Sequence, residues 1–130
     1  MKDRMEQILA EGIYGKSELK PEEKTLFLSN FAERVVISLT KSQVRKRGTY
    51  QEIEQYMNKY PSSRLYINGT MNYSFYGDYI QLANKKRIPF TIVNDSKTSP
   101  LGIVLALGQA IPDDPVFVQD ELYQDDLKNS

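Results

Sequence analysis

The side chains equipped for chemistry are limited in kind before their spacing is considered. The 130 residues contain no cysteine and no histidine. Thiolate nucleophiles, imidazole bases, the triads that depend on them and nearly every zinc site are thereby removed. Carboxylate, lysine, arginine, tyrosine and hydroxyl groups remain for acid–base work. Asp78, Asp95, Lys41 and the tyrosines are candidates of that kind, but no two stand at a diagnostic spacing. The sequence therefore leaves catalysis open and leans against it.

Two polar segments are better suited to holding a ligand. Lys41, Arg45, Lys46 and Arg47 form a basic run that leads through Gly48 towards a helix start, where unpaired backbone amides can hold an anion. The same residues also read as a solvated charged turn. The second segment, NDSKTSP at 94–100, leaves a strand and enters a predicted helix, the place where ligands collect in open α/β sheets. Asp95, Lys97, Thr98 and Ser99 would line such a site; alternatively, Ser99 caps the helix and Asp95 makes a turn. A ligand site made of Lys41, Arg45, Arg47, Gly48, Asp95, Lys97, Thr98 and Ser99 requires loops 45–50 and 94–99 to meet along a common rim. No metal and no cofactor is implied.

Tyrosine is the third notable type, with seven of its nine copies between Tyr50 and Tyr79. It offers large amphipathic contact area of the sort interfaces use, so self-association through a tyrosine-rich face is an alternative to ligand binding. Tyr56, Tyr60, Tyr76 and Tyr79 fall on predicted core faces, which assigns at least part of the set to packing.

The elements that must position these residues follow from length and patterning. A chain of 130 residues is one domain that buries roughly two-thirds of its unfolded surface. Residues 1–20 and 120–130 are expected to be peripheral ends. Seventeen basic and seventeen acidic side chains cancel, so no long-range field gathers nucleic acid or an anionic membrane, and local patches must carry any such role. The N-terminus MKDRMEQILAEG is too charged for a signal peptide, and no window approaches a membrane span. A soluble cytoplasmic protein is expected.

Met5, Ile8 and Leu9 make a short apolar stripe that Gly12 and Gly15 interrupt. Pro21, Glu22 and Glu23 open a helix of about ten residues. RVVISLT, residues 34–40, alternates like a strand buried on at least one side. Thr49 and Glu52 have the spacing of a capping box, and Ile53, Tyr56, Met57 and Tyr60 continue the helix until Pro61. LYIN at 65–68 and Phe90 to Val93 are strands, with a helix marked by Tyr76, Tyr79, Ile80 and Ala83 between them. Ser99 and Pro100 are read as opening a helix through Leu101, Val104, Leu105 and Gly108, although GIVLAL could also pair as a strand. VFV at 116–118 is a last short strand, and the acidic tail reads as a solvated end with one helical turn. The expected outcome is an α/β, three-layer helix-sheet-helix sandwich with a mixed four-stranded sheet.

ERVVISLTKSQV, INGTMNYSFYGDYIQLANKKRIPFTIVND and SPLGIVLA resemble the corresponding blocks of the YueI-like family of small Gram-positive bacterial proteins, over nearly the whole chain. The resemblance implies a fold and no activity. That fold is similar to the Bacillus chorismate mutase and to the kink-turn-binding ribosomal proteins. Fold likeness to a mutase does not transfer a reaction. In the RNA binders a glycine, a small residue and Asn-Glu are followed by a lysine three residues after the Glu. Gly48 matches the glycine, but Tyr50 stands at the Asn position, Gln51 at the Glu and Glu54 at the Lys. Glu54 would repel phosphate, so kink-turn recognition loses its central residues. The leading expectation is a non-catalytic binding module for an anionic ligand, RNA or nucleotide; a homo-oligomeric assembly or adaptor protein and an enzyme of unknown reaction are the alternatives.

Overall fold

The structure, a computed structural model, describes residues 21–128. The apolar stripe at Met5, Ile8 and Leu9 lies outside them. Helix α1 spans Pro21–Leu26, six residues instead of about ten. It stops because the chain reverses through Leu28 and Ser29, both at positive φ, with the Ser29 amide donating to the Lys24 carbonyl at 2.7 Å. Buried Asn30 holds this reversal by donating to the carbonyls of Phe27 and Leu28.

A 3-10 turn at Ala32–Arg34 leads into β1, Val35–Thr40, followed by α2, Lys41–Arg45, and α3, Gln51–Lys59. Strand β2, Arg64–Asn68, precedes the long helix α4, Tyr73–Lys85, and β3, Phe90–Val93. Strands β4, Leu101–Ala106, and β5, Val116–Phe117, complete the sheet, and α5 spans Glu121–Lys128. The tail thus forms two turns of helix, with Tyr123 buried.

The sheet has five strands in the order β3-β2-β4-β1-β5. Strand β4 runs antiparallel to β1 and β2, whereas the β1–β5 and β2–β3 pairs are parallel. The fold is mixed α/β, and the expected count of four strands is corrected to five. The segment read as a helix after Pro100 is instead the central strand, with Leu39 opposite Ile103 and Ile67 opposite the same residue on the other side. All six residues of β4 are buried. A strand covered on both faces reads as a continuous apolar run, which periodicity cannot separate from a buried helix. The β-branched pair Ile103 and Val104 suits the strand.

Two apolar clusters lie on the two faces of the sheet. Ile103 and Leu105 face Val44 of α2, Ile53 and Met57 of α3, and Tyr79, Ile80 and Ala83 of α4. Val104 and Ala106 face Leu26, Phe27, Leu28, Ala32 and Tyr123. The Phe117 ring lies between the Phe27 and Tyr123 rings, at 6.2 and 5.7 Å.

Close approach of α2 to the sheet depends on Gly102. A Cβ there would meet Val44 Cγ2 at 2.8 Å and Met71 Sδ at 2.9 Å, with the Lys41 backbone at 3.3 Å. Gly102→Val should therefore lower unfolding free energy by about 1–3 kcal/mol through overpacking. Gly108→Val, whose added Cβ meets nothing within 4 Å, should stay within about 0.5 kcal/mol of the parent. Urea denaturation of the two variants checks this contrast.

Candidate functional site

Because β1, β2 and β3 point the same way, their C-terminal ends share one edge of the sheet with the start of β4. Two buried carboxamides organise that edge. Asn68, the last residue of β2, donates to the carbonyls of Ser96 and Leu101 at 2.9 and 3.0 Å. Its Oδ1 accepts from the Thr70 amide and hydroxyl. The loop 94–100 is thereby tied to the end of β2.

Gln43 does the same for β1 and α2. Thr40 and Gln43 make a capping box in which the Gln43 amide donates to Thr40 Oγ1 and the Thr40 amide donates to Gln43 Oε1 at 2.8 Å. Gln43 Nε2 then donates to the Val118 carbonyl at 2.6 Å and to Asp120 Oδ1 at 2.9 Å. The capping box expected at Thr49 and Glu52 does not form: α3 starts at Gln51, and its N-cap is Tyr50, with no side-chain capping bond.

The candidate residues are strung along α2. At its start, Lys41 Nζ donates to the Lys97 carbonyl at 3.2 Å and the Lys41 amide to the Pro100 carbonyl at 2.9 Å, so loop 94–99 abuts this end. Arg45 closes the helix, about 6 Å further on at 1.5 Å per residue, and loop 45–50 leaves from there. Arg45, Arg47, Gly48, Asp95, Lys97 and Thr98 are exposed. Gly48 stands at φ +83 with open space around it, a conformation that glycine adopts without strain. Ser99 is turned inward: its hydroxyl donates to the Leu26 carbonyl at 2.7 Å and accepts from the Leu101 amide. It is neither a helix cap nor available to a ligand. Of the seven clustered tyrosines, only Tyr73 is exposed; Tyr76 and Tyr79 are buried, and the other four are half-buried.

The start of α2 is already occupied, since Asp126 of α5 accepts from the Ser42 amide at 3.2 Å and the Ser42 hydroxyl at 2.6 Å. The start of α3 carries Glu52 and Glu54, and the Tyr50 amide donates to the Tyr79 hydroxyl at 3.0 Å. Side-chain cations, not helix starts, are therefore the groups free to meet an anion. Burial holds the Lys41 ammonium below the usual lysine range, with Arg45 adding to the effect and Asp126 opposing it.

Sequence reasoning missed Gln43, Asn68, Asp120 and Asp126. The Thr-x-x-Gln spacing at 40–43 was a legible signal, whereas the Ser42–Asp126 contact joins residues 84 positions apart. Tyr50 makes the shortest link of the network, its hydroxyl donating to Asp120 Oδ2 at 2.5 Å. Burial pushes the Tyr50 phenol well above its usual range, and the hydrogen bond to Asp120 adds to the shift. Burial similarly pushes Tyr79 up to about 12. Asp120 is pushed up by burial, but hydrogen bonds from Tyr50, the Tyr123 amide and Gln43 outweigh this and hold it below the usual carboxylate range.

Tyr50→Phe should cost about 1.5–3 kcal/mol at neutral pH, the worth of one hydrogen bond to a carboxylate. Asp120, with its lowered value, contributes above its ordinary value of about 4 and loses that contribution as pH falls through the folded value. Tyr50, with its raised value, contributes below its ordinary value of about 10 and loses it as pH rises further. The difference between parent and variant should consequently be largest between about pH 4 and pH 10 and shrink outside that window. Chemical denaturation across pH measures it.

Residues 2–117 match the model of a family described as "Protein of unknown function (DUF1694)". The chain is 41% identical over 122 residues to the "Uncharacterized protein YueI" of Bacillus subtilis, covering 93% of this chain and 92% of that protein. It also matches the crystal structure of the YueI protein from Bacillus subtilis with a TM-score of 0.83 and 40% identity, over 95% of this chain and 97% of that one. With this extent of likeness in both sequence and fold, the chain belongs to the YueI (DUF1694) family.

Proposed function

We propose that the protein is a non-catalytic binding module for an anionic ligand, RNA or nucleotide, with Lys41, Arg45, Arg47 and Lys97 as its contacts. The scaffold is taken as a helix-sheet-helix sandwich whose polar edge is held rigid while long cationic side chains project from it. One observation carries the proposal. Among the described residues, Arg45, Arg47 and Lys97 make no ion pair, while Lys86 and Glu54 pair at 2.9 Å elsewhere on the surface. Cations left unpaired beside one another are available to phosphate, for which arginine offers a fixed fork of donors. Lys41 supports this, because a positive neighbour in Arg45 helps lower its proton affinity and an arriving anion would reverse that effect.

The nearby carboxylates limit where the ligand can lie. Asp126 sits against Ser42 and Asp120 against Tyr50 and Gln43, so the ligand is placed on the outer side of α2, away from α5. No part of the proposal uses Ser99, and Asp95 and Thr98 flank the cations as loop residues.

Arg45→Ala combined with Arg47→Ala should weaken binding to a panel of RNAs and nucleotides. For single strands, the slope of log affinity against log salt should become shallower by about 1.4, at about 0.7 for each phosphate that is no longer neutralised. Filter binding across a salt series provides the measurement. A parent protein that retains none of the panel at low salt overturns the proposal.

A further inference from the structure

Phe75 is 40% exposed and lies on α4, one residue from Tyr76 of the core. Scattered exposed apolar residues are ordinary on protein surfaces. What distinguishes this one is its neighbour: the Arg45 guanidinium lies 5.9 Å from the ring centroid. Arg45 is one of the cations assigned above to the ligand. On the same loop, Lys46 stands 5.1 Å from the ring of Tyr50, and Arg47 is exposed beyond it. The basic run is thus flanked by two aromatic rings, Tyr50 from its own loop and Phe75 from a helix distant in sequence. Asp78 is the only acidic residue within α4, Glu52 and Glu54 lie in the first turn of α3, and Asp120, which accepts from the Tyr50 hydroxyl, attracts Lys46, which leaves Arg45 and Arg47 as the cations of this run for a ligand.

We infer that the anionic ligand is single-stranded nucleic acid, one base of which stacks on the Phe75 ring beside Arg45 while its phosphates meet Arg45 and Arg47. This rests on the anion-binding role proposed above and specifies its ligand class. A cation alone recognises any phosphate. An exposed ring beside it adds a surface that, among nucleic acids, only an unpaired base can cover, because bases in a duplex are already stacked. Arginine favours the same arrangement, since its planar guanidinium packs on rings and bases while hydrogen-bonding phosphate. Stacking is tolerant of base identity, so the expected preference is for single strands over duplexes, with little preference in sequence.

The test uses fluorescence anisotropy of the full chain with a labelled oligouridylate of about 12 nucleotides, within the span usual for single-strand binders. Inorganic polyphosphate, a polyanion without bases, serves as the comparison probe. Phe75→Ala should weaken oligouridylate binding by roughly 5- to 150-fold, the equivalent of one base–aromatic stack of about 1–3 kcal/mol. It should leave polyphosphate binding unchanged, and Phe75→Tyr, which keeps the ring, should retain oligouridylate binding. Phe75→Ala removes a side chain outside both buried clusters, and thermal unfolding monitored by circular dichroism verifies that the variant remains folded. Equal affinity of parent and Phe75→Ala for oligouridylate, or equal affinity of the parent for duplex and single strand, overturns the inference. In either case polyphosphate binding that depends on Arg45 and Arg47 leaves the anion-binding role standing, whereas no binding of either polyanion at low salt removes both. If Phe75→Ala instead abolishes self-association seen by light scattering and leaves oligouridylate binding intact, the ring belongs to a protein contact and the inference fails.

Discussion

The buried carboxamide of Gln43 is the constraint on which the arrangement of this edge depends. A fully buried amide left without partners would cost several kcal/mol, so its position requires that β1, α2 and the tail be where they are. Its oxygen accepts from Thr40, and its nitrogen holds the Val118 carbonyl and Asp120. Through Asp120 the same group reaches Tyr50, and through the Tyr50 amide it reaches Tyr79 in the core. Three segments distant in sequence, residues 40–50, Tyr79 and residues 118–120, are thereby joined. Asn68 performs the equivalent task where β2, β4 and the loop 94–100 meet. Both amides use both of their donor hydrogens on the protein itself, so each fixes the frame from which the exposed side chains project.

That frame explains why the basic residues lie along α2. Strand β4 enters the sheet antiparallel between β1 and β2, so the loop that precedes it must arrive at the edge from which α2 departs. Gly102 lets the helix settle closely on this strand. Lys41 is held at the junction by hydrogen bonds to the Lys97 and Pro100 carbonyls. Arg45 and Arg47 are exposed beyond that junction. Rigid backbone with free side chains is the arrangement expected of loops that bind from a stable scaffold.

Most of the fold was legible from the residues, and the failures share a cause. Strands β2 and β3 and helices α3 and α4 announced themselves because buried and exposed positions alternate along them, and β1, although buried throughout, because Ser38 and Thr40 break its apolar run. Strand β4 is buried on both faces, so alternation carried no information there, and Ser99-Pro100 supplied a plausible helix start that the fold uses otherwise. The Ser99 hydroxyl closes a contact with Leu26, 73 residues away, which no local pattern encodes. Likewise, Thr49 and Glu52 satisfied the spacing of a capping box and Thr40 and Gln43 satisfied it too, but only the second pair forms one. Tertiary burial of Gln43 decided between them. For the candidate site, the cations were legible as a cluster along the chain. Their relation to Phe75 was not, because it requires α4 to lie beside α2.

Electrical neutrality shapes what such a surface can do. With equal numbers of acidic and basic side chains, the molecule as a whole offers no field to draw a polyanion from a distance. At physiological salt the influence of Arg45 and Arg47 fades within about 8 Å, close to the reach of the side chains themselves. Exposed ion pairs are worth at most about 1 kcal/mol each under those conditions, too little for two or three cations to retain a flexible anion on their own. The binding role proposed above therefore requires a short-range attraction insensitive to salt, placed where the cations already are. The ring of Phe75, beside Arg45 and outside both buried clusters, stands where that attraction is required.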